Sequence, residues 1–422
     1  MSMRRRGIGE SGTPRRGSGE APLAGIRVLD LTQVVAGPYC TMMLADMGAE
    51  VVKIERPGHG DDLRRTVPYH GREGHEDYYN ALNRSKKSVA LDLKNPRHRD
   101  LALQLAARAD VMVENYAPET LARLGLGWDE VARRNPRLVY CSISGFGQTG
   151  PYRNRVALDP VIQAISGSMS VTGEPEGEPM KLGVPVADII AGMFAAYSVV
   201  SALHVVKRDG RGQYIDLSLQ GGMLAVLGTR MGEPLQAGVS PQRLGNENPL
   251  RVPAGTFRTA DGAWLEFMVL GEHNWPPFCR AMGRTAWIDD ARFRTMALRV
   301  RHRTQINKLV AARFKEHRAA YWARRLEAER IPYGVVNDYR QALADPQVAH
   351  RGLVRELRHP TSGPIRVVGP QWIMSESGAP MTPPANLGQH TGEVLRVWLG
   401  MTPGEIEFVT SNSDGSASER GQ

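Results

Sequence analysis

Cysteine is scarce in this chain of 422 residues: Cys40, Cys141 and Cys279 stand far apart, with no CxxC pair. That excludes a disulfide framework and points to reduced thiols in a cytoplasmic protein, with no catalytic role for them. Long hydrophobic runs are missing as well. No window approaches about 18 consecutive apolar residues, so no membrane-spanning helix is expected. Residues 1–22 are basic but carry no apolar run, so no secretory signal is expected there. The 11 histidines are scattered, with no HxxxH and no paired Cys/His spacing of zinc type. His59, His70 and His75 share one Gly-rich stretch, but loop histidines of this kind are more often solvated than ligating, and no metal site is expected. The turn that follows the expected strand at 26–31, Thr32 to Pro38, lacks the GxGxxG fingerprint, and no Walker A motif or GxSxG elbow occurs. A nicotinamide oxidoreductase, an ATPase and a serine hydrolase are therefore not indicated. Glu55 stands where a dinucleotide fold would hold a ribose, but without the accompanying glycines.

What is present is an ordinary globular balance, 41% hydrophobic and 23% charged, on a length that suggests two or three domains. The net charge of +9 is nearly all arginine, 45 Arg beside 8 Lys, and +3 of it falls in residues 1–22. An acidic small molecule suits this charge. An RNA-binding protein using Arg4, Arg5, Arg6, Arg15 and Arg16 is the non-enzymatic alternative.

Residues 1–22 and 411–422 read as disordered tails, rich in small and polar residues without hydrophobic period. Between them the pattern alternates. Strands are expected at 26–31, 50–54, 110–113 and 138–142, and helices at 38–47, 97–108 and 118–124. This β-α-β spacing argues for a parallel sheet covered by helices, an α/β fold. A long helix is expected over 188–206, with Ile189, Ile190, Met193, Phe194, Tyr197 and Val200 forming its apolar face. Past residue 228 the texture changes: a hairpin turns at Asp261-Gly262, and helices follow at 274–282, 303–314 and 319–328. We therefore expect a large α/β domain over 23–228, a smaller α+β domain over 229–325, and residues 326–410 completing the large domain. In that last stretch a strand at 333–336, a helix at 338–344, a hairpin over 355–368 and a helix over 390–399 are expected.

Asp188 begins the long helix, in Val-Pro-Val-Ala-Asp-Ile-Ile-Ala-Gly. One reading is a helix cap that satisfies orphan N–H groups. The other is a nucleophilic carboxylate held ionised by the positive helix end, with Gly192 four residues on leaving room for a reacting group. Local physics leaves both open.

Several short runs carry a resemblance. They are Leu29-Asp30-Leu31-Thr32, Ala36-Gly37-Pro38, the stretch from Gly48 to Glu55, and Asn83-Arg84-Ser85-Lys86-Lys87-Ser88. Further on come Leu91-Asp92-Leu93-Lys94, Val113-Glu114-Asn115-Tyr116, Gly145-Phe146-Gly147, Gly150-Pro151 and Gly210-Arg211-Gly212-Gln213. In this order, from about Leu23 to Leu399, the chain resembles the class III CoA-transferases. That family includes the formyl-CoA:oxalate and carnitine CoA-transferases and also α-methylacyl-CoA racemases.

The resemblance implies a Rossmann-like large domain and an interlocked homodimer. It places the family's nucleophilic aspartate on Asp188, which would attack a donor thioester and pass through a mixed anhydride and an aspartyl-CoA thioester. Coenzyme A thioesters would be substrates, with no tightly bound cofactor. By the same resemblance Val35 and Ala36 line the site near the thiol end, Arg56, Lys94 and Arg123 meet the phosphates, and Leu91, Asn115 and Tyr116 surround the nucleotide. Two departures matter. Racemases carry a proton-shuttling His where this chain has Leu158, which favours transfer over racemisation, and Asp159 beside it reads as structural or substrate-orienting. The oxalate enzymes carry a glycine run where this chain has the segment from Arg243 to Pro249. Family members with such an Arg-x-Gly-Asn-x-x-Pro segment often use dicarboxylic or hydroxy acids with succinyl-CoA as donor. The expected reaction is CoA transfer from a donor acyl-CoA to a small organic acid.

Overall fold

The computed structural model describes residues 17, 19–66 and 76–411. His70, His75 and nearly all of both expected tails, including the arginines of the first tail, lie outside the described residues. The chain divides into two compact units, one of Met1–Ser166, Leu182–Met231 and Pro346–Gln422, the other of Gly167–Lys181 and Gly232–Asp345.

The larger unit is built on six strands: β1 (Arg27–Leu31), β2 (Glu50–Glu55), β3 (Lys86–Ala90), β4 (Val111–Glu114), β5 (Val139–Ser144) and β6 (Gln213–Ser218). All pair parallel in the order β3-β2-β1-β4-β5-β6. This is the doubly wound order of nucleotide-binding sheets. Alternate residues feed two apolar layers. Val28, Val51, Val113 and Ile143 face the helices Ala36–Asp46 and Val186–Asp209, while Leu29, Val52, Val89 and Met112 face the helices Pro96–Arg108 and Thr391–Leu399. The sequence pattern misses β3 and β6. They are the two edge strands, and their polar runs, Lys-Lys-Ser-Val-Ala and Gln-Tyr-Ile-Asp-Leu-Ser, hide the apolar signal.

The long helix Val186–Asp209 corrects an expectation. It buries its small side, Ala187, Ala191, Gly192, Ala195, Ala196, Val199, Ala202 and Val206. Met193, Phe194 and Tyr197, read as its inward face, are 48%, 37% and 72% exposed. Small residues win because they let the helix lie closely on the helix Ala36–Asp46. A methyl group at position 192 would come 2.6 Å from the Ala36 carbonyl oxygen. Gly192→Ala should accordingly lower stability by about 1–3 kcal/mol, an overpacking cost read as a lower Tm. An unchanged Tm would show that the two helices separate freely. By length and composition this helix could cross a membrane, which the run-length criterion did not signal. In the fold its small face packs on the sheet.

In the smaller unit β7 (Ala254–Arg258), β8 (Trp264–Met268) and β9 (Tyr333–Val335) form an antiparallel sheet around a core that includes Phe267, Phe278, Phe314 and Trp322. The pairing of β9 with β8 shifts the expected boundary. Residues 326–345 belong here rather than with the large domain, as do 167–181. Within this unit the segment 243–249 is tied down: Arg303 Nη2 donates to the Pro249 carbonyl (2.7 Å) and Asn307 Nδ2 to Glu247 Oε1 (2.8 Å).

The chain then returns to the larger unit as a ribbon, β10 (Val354–His359) and β11 (Gly363–Val368). Residues 382–391 follow and seal the open edge of β3. Ser85 N–H donates to Thr382 O (3.0 Å), His390 N–H to Ser88 O (2.9 Å), Gly388 N–H to Ser88 Oγ (2.8 Å) and Ala90 N–H to Thr391 Oγ1 (3.0 Å).

Candidate active site

In a doubly wound sheet, ligands bind beyond the carboxyl ends of the strands where the order reverses. Here that point lies between β1 and β4, and Gln33 and Asn115 meet there. Gln33 N–H donates to Asn115 Oδ1 (2.8 Å), and Asn115 Nδ2 returns a bond to Gln33 O (2.8 Å). Gln33 Nε2 also donates to Tyr116 Oη (2.9 Å). A cavity of about 340 Å³ opens at this place, lined by Gln33, Arg56, Leu91, Lys94 and Tyr116 among others. Arg56 and Lys94 are exposed, with Arg56 4.0 Å from Asp62. Arg123 does not line the cavity, but its guanidinium donates to Thr120 Oγ1 (3.3 Å), and Thr120 does. Asn115 stands behind the wall, bonded to Gln33. Val35 and Ala36 are not among the lining residues.

Beneath the cavity is a buried charge cluster. Glu55 accepts from Arg64 Nε and Nη2 (2.7 and 2.8 Å), Ser88 Oγ (2.6 Å), Tyr79 Oη (3.2 Å) and the Asp61 N–H (3.0 Å). Burial alone would raise its pKa, but Arg64 and Lys53 hold it at about 2. A carboxylate so fully engaged is not waiting for a ribose. Asp30, likewise buried, is held at about 2 by Lys86 and Lys53 together with the Thr32 and Thr41 hydroxyls. Gln33, Lys53 and Asp61 are the residues that motif reading missed. The signal available for Lys53 and Asp61 was two charges of opposite sign close in sequence, which usually means a solvated surface.

Asp188 is not a cap. Pro185 is the N-cap residue of its helix, and the capping acceptor comes from far away in sequence. Asp159 Oδ1 accepts the N–H of Ala187 (2.7 Å) and, more weakly, of Asp188 (3.4 Å). Asp159 Oδ2 accepts from Gln163 Nε2 (2.6 Å), whose Oε1 accepts the Leu182 N–H (2.9 Å). The orphan amides are thus satisfied without Asp188, and no hydrogen bond to its carboxylate is found among the described residues. The expectation that the helix end keeps Asp188 ionised is also corrected. Burial, and then the like charge of Asp159, push its pKa up to about 7, outweighing the helix dipole. A carboxylate with so high a pKa is a stronger nucleophile once its proton has left. Gly192 also takes a different part from the one expected: the space its missing side chain leaves is filled by the helix contact at Ala36.

Asp159→Asn keeps an acceptor for the Ala187 N–H but removes the neighbouring charge. The acid limb of the pH profile should then move to lower pH. If it stays in place, burial alone sets the Asp188 pKa. Leu158, next to Asp159, is 65% exposed and has no proton to give. Among the described residues no group of three His, Cys, Asp or Glu side chains is arranged to hold a metal ion.

Residues 23–391 match the family described as CoA-transferase family III. Succinyl-CoA:glutarate CoA-transferase of Mus musculus is 40% identical over 395 residues, 92% of this chain and 88% of that protein. Succinate–glutarate CoA-transferase of Agrobacterium fabrum is 39% identical over 383 residues, covering 89% and 95%. Among solved structures, a CAIB/BAIF family protein from Brucella suis superposes with a TM-score of 0.82 at 33% identity, over 90% of this chain and all of that one.

Proposed function

The chain belongs to CoA-transferase family III and is a CoA-transferase; from that premise we propose that it carries CoA from succinyl-CoA to a short dicarboxylic acid of the glutarate kind, with Asp188 as nucleophile. An Asp188 oxygen attacks the thioester carbonyl, the C–S bond breaks, and CoA thiolate leaves an aspartyl-succinyl anhydride. The thiolate then attacks the aspartyl carbonyl, releasing succinate and forming an aspartyl-CoA thioester. The acceptor carboxylate reverses both steps and departs as its own CoA thioester. One thioester replaces another at similar free energy, so neither ATP nor a bound cofactor is needed. Arg56, Lys94 and Arg123 receive the phosphates, and Leu91, Asn115 and Tyr116 the nucleotide. Val35 and Ala36 stand at the thiol end. Ala36 meets the Asp188 helix at Gly192, one turn from the nucleophile, which supports that placement.

The observation that carries this reading is the division of labour between two aspartates: Asp159 caps, so Asp188 is left unbonded at the helix start. The test is intact-protein mass spectrometry after incubation with succinyl-CoA, quenched with hydroxylamine. A modification mapped to the Asp188 peptide supports the mechanism. A panel of acyl-CoAs giving none would remove Asp188 from it.

We also read the protein as a cytoplasmic homodimer of the interlocked kind. The apolar side chains Met193, Phe194 and Tyr197, bare in the single chain, suit a subunit contact, and three buried free cysteines suit a reducing compartment. Light scattering should give twice the chain mass; a monomer would contradict the subunit reading.

A further inference from the structure

The turn that joins β1 to the helix Ala36–Asp46 contains a backbone outlier. Val34 has φ +63°, a left-handed conformation that a β-branched residue avoids. Such a residue stays there only where its surroundings over-determine it, and both peptide groups that precede Val34 are held. Lys53 Nζ donates to Thr32 O (2.6 Å) and lies 3.0 Å from Asp61 Oδ2. Asp61 Oδ1 accepts the Val34 N–H (3.2 Å) and the Leu63 N–H (3.0 Å). Asn115 grips Gln33 from the other side through two bonds of 2.8 Å. Both Lys53 and Asp61 side chains are fully buried, so this is an internal brace and not a surface ion pair. Left-handed strain concentrates at functional sites, and the two residues that follow Val34 are those placed at the thiol end of CoA.

We propose that Lys53 and Asp61 are positioning residues for CoA transfer: their buried ion pair locks Val34 in its left-handed conformation and so fixes where Val35 and Ala36 meet the reacting thioester. Without the lock the valine turn relaxes to negative φ and carries Val35 and Ala36 off the reacting group. The phosphate end of the site, at Arg56 and Lys94, stays in place. The inference rests on the proposed placement of Val35 and Ala36.

The test is a double-mutant cycle with Asp61→Asn and Val34→Gly. A turn displaced by about an ångström costs on the order of ten- to a hundred-fold in turnover, so Asp61→Asn should lower kcat by that range with KM for succinyl-CoA changed less than about threefold. Glycine adopts positive φ without a lock, so adding Val34→Gly should return about tenfold of the lost kcat without restoring Tm. Additive effects on kcat, or recovery of kcat and Tm together, would overturn the lock and leave a merely structural pair. Lys53→Gln, which keeps a donor toward Thr32, runs the same cycle if Asp61→Asn does not fold. If both variants are unfolded with and without Val34→Gly, the positioning role is overturned as well. The wild type separates the two readings. A wild type that shows neither turnover nor adduct fails the transfer mechanism itself, whereas an active wild type with additive variants fails only the lock.

Discussion

Asp188→Asn should abolish CoA transfer, with kcat lower by at least about a thousandfold and no hydroxylamine-sensitive adduct. The amide has nearly the same shape, and the bonds from the Ala187 and Asp188 amides to Asp159 do not involve the side chain that changes. The fold should therefore stand while the nucleophile is gone. In the wild type the reactive form is the ionised one, so kcat/KM should rise as pH passes upward through about 7. The same shift makes a stability prediction of definite sign. A carboxyl raised from 3.8 to about 7 costs the fold nothing below pH 3.8, and its full penalty is felt above about 7. Asp188→Asn should therefore match the wild type in urea unfolding near pH 4 and exceed it at pH 8. The gain should be on the order of 2 kcal/mol, below the full value of about 4 because the group is partly solvated. Residual transfer at one-tenth of the wild-type rate would sink the nucleophile assignment.

Arg64→Ala should cost about 3 kcal/mol or more, the penalty for leaving a buried carboxylate short of its partner. Arg64 gives two bonds to Glu55, one to Glu76 (2.6 Å) and one to the Ala385 carbonyl (3.0 Å), and it stacks 3.6 Å over the Tyr79 ring. The remaining donors to Glu55, from Ser88, Tyr79 and Asp61, keep the loss from running higher. Because the pair holds the Glu55 pKa at about 2, it contributes stability above the ordinary value of 4.5 that disappears as pH falls toward 2. The gap between variant and wild type in denaturant titrations should be widest near neutral pH and narrow below pH 4.5. A gap independent of pH would mean that the arginine acts through packing alone. The loop from Arg56 to Arg65 carries Asp61, so this variant should also lower the affinity for CoA.

Strands and helices were legible in the sequence where local pattern carries the information. Val28-Leu29 and Val51-Val52 stand in short continuous apolar runs, the mark of strands buried on both faces. Helices at Arg303–Phe314 and Ala319–Ala328 fall where they are expected. The edge strands β3 and β6 were not legible, because their polar residues find partners only in the folded chain: Lys86 bonds to Asp30, 56 residues away. The inward side of the long helix was misread because hydrophobicity favours Phe194 and Tyr197, while close contact with Ala36 favours Gly192 and Ala195. In the site, Asp188 stood out by its position before a long apolar helix. Its release from capping did not, since the acceptor is Asp159, 28 residues upstream of Ala187. Nor was the brace on Val34, because no periodicity records a backbone angle.

The seal over β3 sets a timetable for the newborn chain. Arg64 reaches a carbonyl 321 positions later, and Gly388 bonds to Ser88 across 300. As the polypeptide leaves the ribosome, the outermost strand of its first-made sheet has to wait, unpaired along one side, until almost everything else has been translated. A stop codon falling just before Thr382 leaves that edge uncovered for good, so truncation there should be as damaging to the cell's supply of enzyme as truncation at mid-chain.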